Sequence, residues 1–399
     1  MKLGIILVTS SQQVDAMKPS APLHRNKTLL LLVALTILWL GDASHHRLIP
    51  IASAAERTTL YDGWTELMYA AWKGKLDAVS TLLLKPQDIN AVDVDGRTAL
   101  IYAAWRGNAK VITLLMQKGA DVNHADNNGM TALIWASRNG QKNGAEALLD
   151  RGAILNSQDK QGRTALTWAA YMGYEQVAKF LIKRGANVNF QDKEGITALI
   201  TATRFGYDRI GHELIQAGAS VNATDKFGRS ALWFAANVGD DAMAKFLLNK
   251  HAKIDVEDAR NQTPLMRAAR AGKTSVVKTL IKAGANVNRQ TRSGNSALMF
   301  AVAAGSADTV KALLNAGAHI NSENKFDNTA LLIAAEAGYS DVLKVLLADK
   351  ANTEQVNKLG NTALSMARDE GHRPAVDLLK NLKTGKQTLL KKLDNKDRK

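Results

Sequence analysis

The chain has 399 residues, 46% hydrophobic and 22% charged, with no cysteine and six prolines. That hydrophobic share excludes a disordered chain, and the missing cysteine excludes a disulfide framework, thiolate metal sites and cysteine nucleophiles. The net charge of +15 divides into +3 for residues 1–55, +7 for residues 56–382 and +5 for residues 383–399. These three segments read as a leader with a pre-sequence, a repeat domain and a basic C-terminal tail.

The leader holds a run of thirteen uncharged residues, Thr28 to Leu40, preceded by Lys18, Arg25 and Lys27. As a helix that run would reach roughly 20 Å, short of the ~30 Å hydrocarbon core of a bilayer. It suits the apolar region of a secretory signal, or an uncleaved signal anchor, with a buried cytoplasmic helix as the third alternative. Small residues follow at Gly41-Asp42-Ala43 and at Ala52-Ser53-Ala54-Ala55, two candidate cleavage positions, and Met17 is an alternative start. The expectation is an exported protein, periplasmic or secreted, with membrane attachment through residues 28–40 as a variant.

From residue 61 the sequence repeats. A turn residue recurs every 33 positions, at Gly63, Gly96, Gly129, Gly162, Gly195, Gly228, Asn261, Gly294, Asp327 and Gly360. In all ten units a leucine stands four residues later, an alanine seven later, a glycine eleven later and a second leucine nineteen later. In the second unit Thr98 precedes an apolar run and predicts a helix N-cap, and Gly107 stops that helix. A second helix is predicted from about Ala109 to Gln117, where Val111, Leu114 and Leu115 stand at helical spacing. Gly119 ends it, and Asp126-Asn127-Asn128-Gly129 makes a turn. In the seventh unit Thr263-Pro264 places proline in the first helical turn, where its missing N–H is tolerated. Neither helix reaches the ~12–15 residues at which an isolated helix becomes marginal, so the units must stack.

The pattern resembles the ankyrin repeat in its period, its D-x-x-G-x-T-A-L-x-x-A-A-x-x-G opening and its G-A-x-V-N close, over residues 61–382. The resemblance implies an all-α repeat solenoid of stacked helix-turn-helix units with hairpin-like turns. It departs from the family where T-P-L-H becomes mostly T-A-L-x, and where Pro86, His251 and Lys350 replace the second glycine. Lys350 marks a weak joint, because a lysine resists positive φ. The closing asparagine, at Asn90, Asn123, Asn156, Asn189, Asn222, Asn288 and Asn321, is expected to bond nearby turn backbone. Asp369, Glu370, Asp377 and Lys380 give the tenth unit the polar face of a cap, whereas the aromatic first unit calls for cover from residues 50–60.

No nucleotide-binding loop, nucleophile elbow or zinc-protease motif occurs. The histidines fall at different points of the repeat, and His45-His46 is the only adjacent pair. Neither a cofactor nor a metal nor an enzymatic reaction is indicated, and no small-molecule substrate.

The resemblance implies that partners touch the hairpin tips and the end of each first helix, five positions per unit. Those fifty residues net +9, while the rest of 56–382 sums to −2. Aromatic residues join them, and Trp, Tyr and Arg dominate binding hot spots. The candidate partner-binding residues are Trp64, Trp72, Trp105, Arg106, Arg138, Tyr171, Arg204, Arg229 and Arg270. Trp72, Trp105, Arg106, Arg138, Tyr171 and Arg204 are expected to form one strip on the concave side, pointing away from the helix pairs. A second aromatic row, Tyr69, Tyr102, Trp135, Trp168, Phe234 and Phe300, is assigned to the core. The function expected is a non-catalytic scaffold for an acidic or extended protein partner. The alternative is a binder of nucleic acid, itself unlikely for an exported protein, or of an anionic membrane surface. The tail, with Lys391 and Lys392 beside Leu389-Leu390 and Leu393, offers a short basic amphipathic stretch for the membrane variant.

Overall fold

The computed structural model describes residues 63–381. The described residues belong to one compact unit. The leader, the basic tail, Tyr61, Asp62 and the segment expected to cover the first unit lie outside the described residues. Among the described residues no helix is long and apolar enough to cross a membrane.

Each unit is built as its sequence dictates. The hydroxyl of Thr98 accepts a hydrogen bond from the Ile101 amide and caps the helix Ala99–Arg106. Thr or Ser fills the same cap in every unit, from Thr65 to Thr362. In the seventh unit Pro264 opens the helix Pro264–Arg270 behind Thr263. The second helix of unit two runs Ala109–Gln117, and Gly107 takes φ 73° between the two helices. First helices pack on first helices of the adjoining units, second helices on second helices, so one apolar layer runs through the array. The recurrent leucines and alanines are that layer: Leu100, Leu133, Leu166, Leu199 and Leu232 are at most 2% exposed. Burying a leucine side chain is worth roughly 1.5–3 kcal/mol, so the stack supplies what short helices cannot.

Between units the chain forms a hairpin, closed in five places by an antiparallel bridge such as Ala125↔Thr131. In units two to seven its organiser is an aspartate three residues ahead of the turn, and Thr291, Asn324 and Asn357 take that position in units eight to ten. In unit three the Asp126 carboxylate accepts from the amides of Asn128 at 2.8 Å and Met130 at 2.9 Å. Gly129 then turns with φ 77°, and a Cβ there would stand 2.9 Å from the Lys160 amide of the next hairpin. Glycine serves both the backbone angle and the close approach. Successive tips are tied by backbone bonds, Lys160 N–H to Asn128 C=O at 2.8 Å and Lys193 N–H to Gln161 C=O at 2.9 Å.

The closing asparagine does more than bond its own turn. The Asn123 side-chain oxygen accepts from the Ile154 amide at 2.9 Å, and Asn189 does the same for Ser220 at 2.8 Å. Their amide nitrogens donate to the carbonyls of Gly152 and Gly218. The expected local role is thereby corrected: the partner lies 29 or 31 residues away, in the following unit, because the stack brings that backbone within reach. Lys350 and His251 both adopt φ 62°, the left-handed conformation that glycine fills elsewhere.

Candidate partner interface

The fold places the predicted site residues on one face, made by the hairpins and the C-terminal ends of the first helices. Trp72, Arg106, Arg138, Arg204 and Arg270 occupy the last two positions of their helices. A cation at a helix C-terminus is favoured by the helix dipole, so the repeat geometry itself accommodates them. Arg106, Arg204 and Arg270 are exposed; Trp64, Trp72, Trp105, Arg138, Tyr171 and Arg229 are half-buried.

These side chains are engaged with one another. Trp64 packs edge-on to Trp72 at 6.0 Å between ring centroids and lies 4.0 Å from Tyr102. The Arg106 guanidinium sits 5.3 Å above Trp72. Trp105 stacks on Trp135 at 4.4 Å, and Arg138 lies 5.0 Å from Trp135 and 4.8 Å from Trp168. Tyr171 meets Trp168 at 5.8 Å and Phe205 at 5.3 Å, both edge-on. Arg204 faces Phe205 and Phe234, and Arg229 faces Phe227, Trp233 and Phe234. Arg270 approaches Phe300 at 5.8 Å. A strip of alternating rings and guanidinium groups therefore runs from unit one to unit eight.

The expectation that the strip points away from the helix pairs needs correction at two positions. Trp105 and Arg138 lie directly on the buried rings of Trp135 and Trp168, which are 2% and 6% exposed. The second aromatic row is core for Tyr102, Trp135, Trp168 and Phe234, as assigned. It is not core at its ends: Tyr69 is 38% exposed and Phe300 half-buried. At Phe300 the neighbouring units carry Arg267 and Ile333 in place of a ring, and Tyr69, in the first described unit, shares the Lys73 ammonium with Trp72.

Two features were missed from the sequence. The hairpin aspartates also anchor the buried rings: Tyr102 O–H donates to Asp93, Trp135 Nε1–H to Asp126 at 2.9 Å and Trp168 Nε1–H to Asp159 at 2.9 Å. Burial, and then the bond to Asp93, push the Tyr102 phenol well above its usual range. In unit six phenylalanine replaces the ring donor, and the Asp225 carboxylate takes Arg229 Nε–H at 2.7 Å. The aspartate was visible in the repeat motif, but its second oxygen finds a ring only in the folded hairpin. The other feature is Arg267, which stands in the aromatic row and lies 4.9 Å from Trp233. Burial, then the like charge of Arg270, pull its pKa down.

Among the described residues no group of three or more His, Asp or Glu side chains converges as a metal site. No curated protein matches the chain. A family model described as ankyrin repeats (3 copies) matches in six overlapping stretches that run from residue 67 to residue 389. Ankyrin repeats are generally protein–protein interaction modules and are typically not enzymes. With the period, the hairpins and the paired helices all in agreement, the chain belongs to the ankyrin repeat family.

Proposed function

We propose that the protein is a non-catalytic scaffold, working outside the cytoplasmic membrane, that holds an acidic, extended protein segment against units one to eight. The observation that carries this reading is the cation–ring strip. Arg106, Arg204 and Arg270 are exposed and lie over rings, so their N–H groups are offered to carboxylates from positions that packing restrains, at reduced entropic cost. Rings supply buried area and arginines supply orientation and salt-sensitive approach. The reading of location rests on the apolar run 28–40 and its basic flank. A reporter active only in the cytoplasm, fused after residue 60, should stay silent; full activity would remove the export claim.

The partner is best identified by cross-linking in the native compartment. Replacing Trp105 and Arg138 together by alanine should then weaken its binding by at least ~2 kcal/mol. Because both side chains pack on buried rings, the same sample needs a thermal melt, and Arg106→Gln with Arg204→Gln is the gentler companion variant. Normal binding by both variants would sink the reading. Binding to any polyanion, without preference among proteins and falling steeply with salt, would favour the nucleic-acid or anionic-surface alternative instead.

A further inference from the structure

The cation–ring strip stops before the end of the array. In unit ten Met366 stands where Tyr102, Trp135 and Trp168 stand in their units, and Asn357 replaces the ring-anchoring aspartate. Their side chains make only a weak amide–sulfur contact at 3.9 Å. Beside Met366 a cleft of about 320 Å³ lies between units nine and ten. Its apolar border includes Phe326 and Leu359, 64% and 83% exposed on adjacent hairpin tips.

The charge of this cleft is reversed relative to the rest of the face. Glu336, Asp369 and Glu370 line it, and Lys358 is the single cation on its border. All three acids sit at the C-terminal ends of first helices, where the helix dipole disfavours a carboxylate. In units two, three, five and seven those positions hold arginine, so the sequence accepts an electrostatic cost here that it avoids in the first helices of those units. Breaches of a local rule gather at functional sites. A second observation is independent of charge. The Asn328 side chain also borders the cleft, and its Oδ1 is buried without a hydrogen-bond partner. A buried acceptor left unpaired costs free energy that a ligand N–H would recover.

We infer that this cleft receives an arginine side chain flanked by aliphatic residues, from the same extended partner whose acidic part lies along units one to eight. The three carboxylates would accept the guanidinium, Asn328 Oδ1 a further N–H, and Phe326, Leu359 and Met366 the aliphatic neighbours. The inference rests on reading this face as a partner groove and adds a direction to it: an acidic segment toward unit one, a basic apolar one at unit ten.

The probe is a fluorescein-labelled, end-blocked peptide of sequence Gly-Ser-Leu-Arg-Leu-Ser-Gly, titrated with the full chain by fluorescence anisotropy. A glutamine version of the peptide is the control. The arginine peptide should bind at least 10-fold more tightly than the control. Replacing Glu336, Asp369 and Glu370 by their amides should remove that preference while leaving the melting temperature unchanged or higher, since the dipole conflict is relieved. A labelled hexaglutamate peptide reports separately on units one to eight, and its binding should survive the triple change. Loss of hexaglutamate binding in the wild type would count against the strip, not the cleft. Equal binding of the two seven-residue peptides, or an unaffected triple variant, would overturn the cleft assignment. So would uptake of the arginine peptide only after Lys391 and Lys392 are replaced by glutamine, because the occupant would then be the chain's own C-terminal segment.

Discussion

Single residues show where this repeat departs from its own rule. Lys350 adopts φ 62° at a site where Gly119, Gly152 and Gly185 turn with open space around the missing Cβ. Only backbone strain separates lysine from glycine there, so Lys350→Gly should stabilise by roughly 0.5–1 kcal/mol, measured by urea denaturation. A loss of stability would mean that the lysine stem packs usefully on its neighbours. Asp208 is a different anomaly. Its Oδ1 is buried without a partner, and its pKa is pushed up to about 6 by burial first, then by the Asp240 carboxyl, with His212 opposing. A raised acid pKa means the folded state holds the proton that the unfolded chain releases near pH 4. The folded state therefore gains stability below pH 4, and this gain is lost as pH rises through about 6. Because the group is partly exposed, the effect should be limited to about 1 kcal/mol. Asp208→Asn should flatten the change in melting temperature between pH 4 and pH 7. An unchanged slope would place the pH response elsewhere.

At the scale of elements, the hairpin and the asparagine staple decide how units join. Asn189 takes the Ser220 amide and reaches the Gly218 carbonyl, so one side chain spans two units. Asn189→Ala should cost about 1 kcal/mol, the net worth of a typical hydrogen bond, while Asn189→Asp should keep the acceptor and cost less. Equal stability of alanine and asparagine there would show that water replaces the staple. The helices themselves were legible in advance, because cap, apolar run and stop glycine are all local signals. Thr98, Ala109–Gln117 and Gly107 fell where the spacing put them. The staple was not legible, since its partner lies 31 residues away and only stacking brings it near. The same limit applied to the site. Position in the repeat located the arginines and rings on one face, but not which ring each arginine covers. Nor did it reveal that Trp105 and Arg138 pack on buried rings, because that depends on unit-to-unit distance. The cleft at units nine and ten is lined by residues of two units, and only the stacked structure brings them together.

For the whole array, the main helix–helix packing links elements within one unit or in adjoining units, so stability should behave as a sum of unit and interface terms. An array of this length can lose its cooperativity when one central joint is weakened, and two probes that see different regions will then disagree. The tryptophans provide such a probe. Among the described residues Trp64, Trp72, Trp105, Trp135 and Trp168 lie in units one to four, with Trp233 in unit six. In a chain that begins after Trp39 fluorescence therefore reports on these units, whereas helical circular dichroism reports on every unit. Leu214, fully buried in the second helix of unit five, is the place to weaken the joint. Removing a buried leucine to alanine costs about 2–5 kcal/mol, comparable with an interface between units. In Leu214→Ala the array should uncouple at unit five, so that the fluorescence and dichroism curves separate in urea by more than in the wild type. The equivalent change near the end, Leu379→Ala, should lower the dichroism baseline early and leave the fluorescence midpoint in place, because it frays only the last unit. If both curves of Leu214→Ala instead shift together and remain superimposed, the ten units fold as one block, and a partner bound at the strip would then stabilise the distant cleft as strongly as its own units.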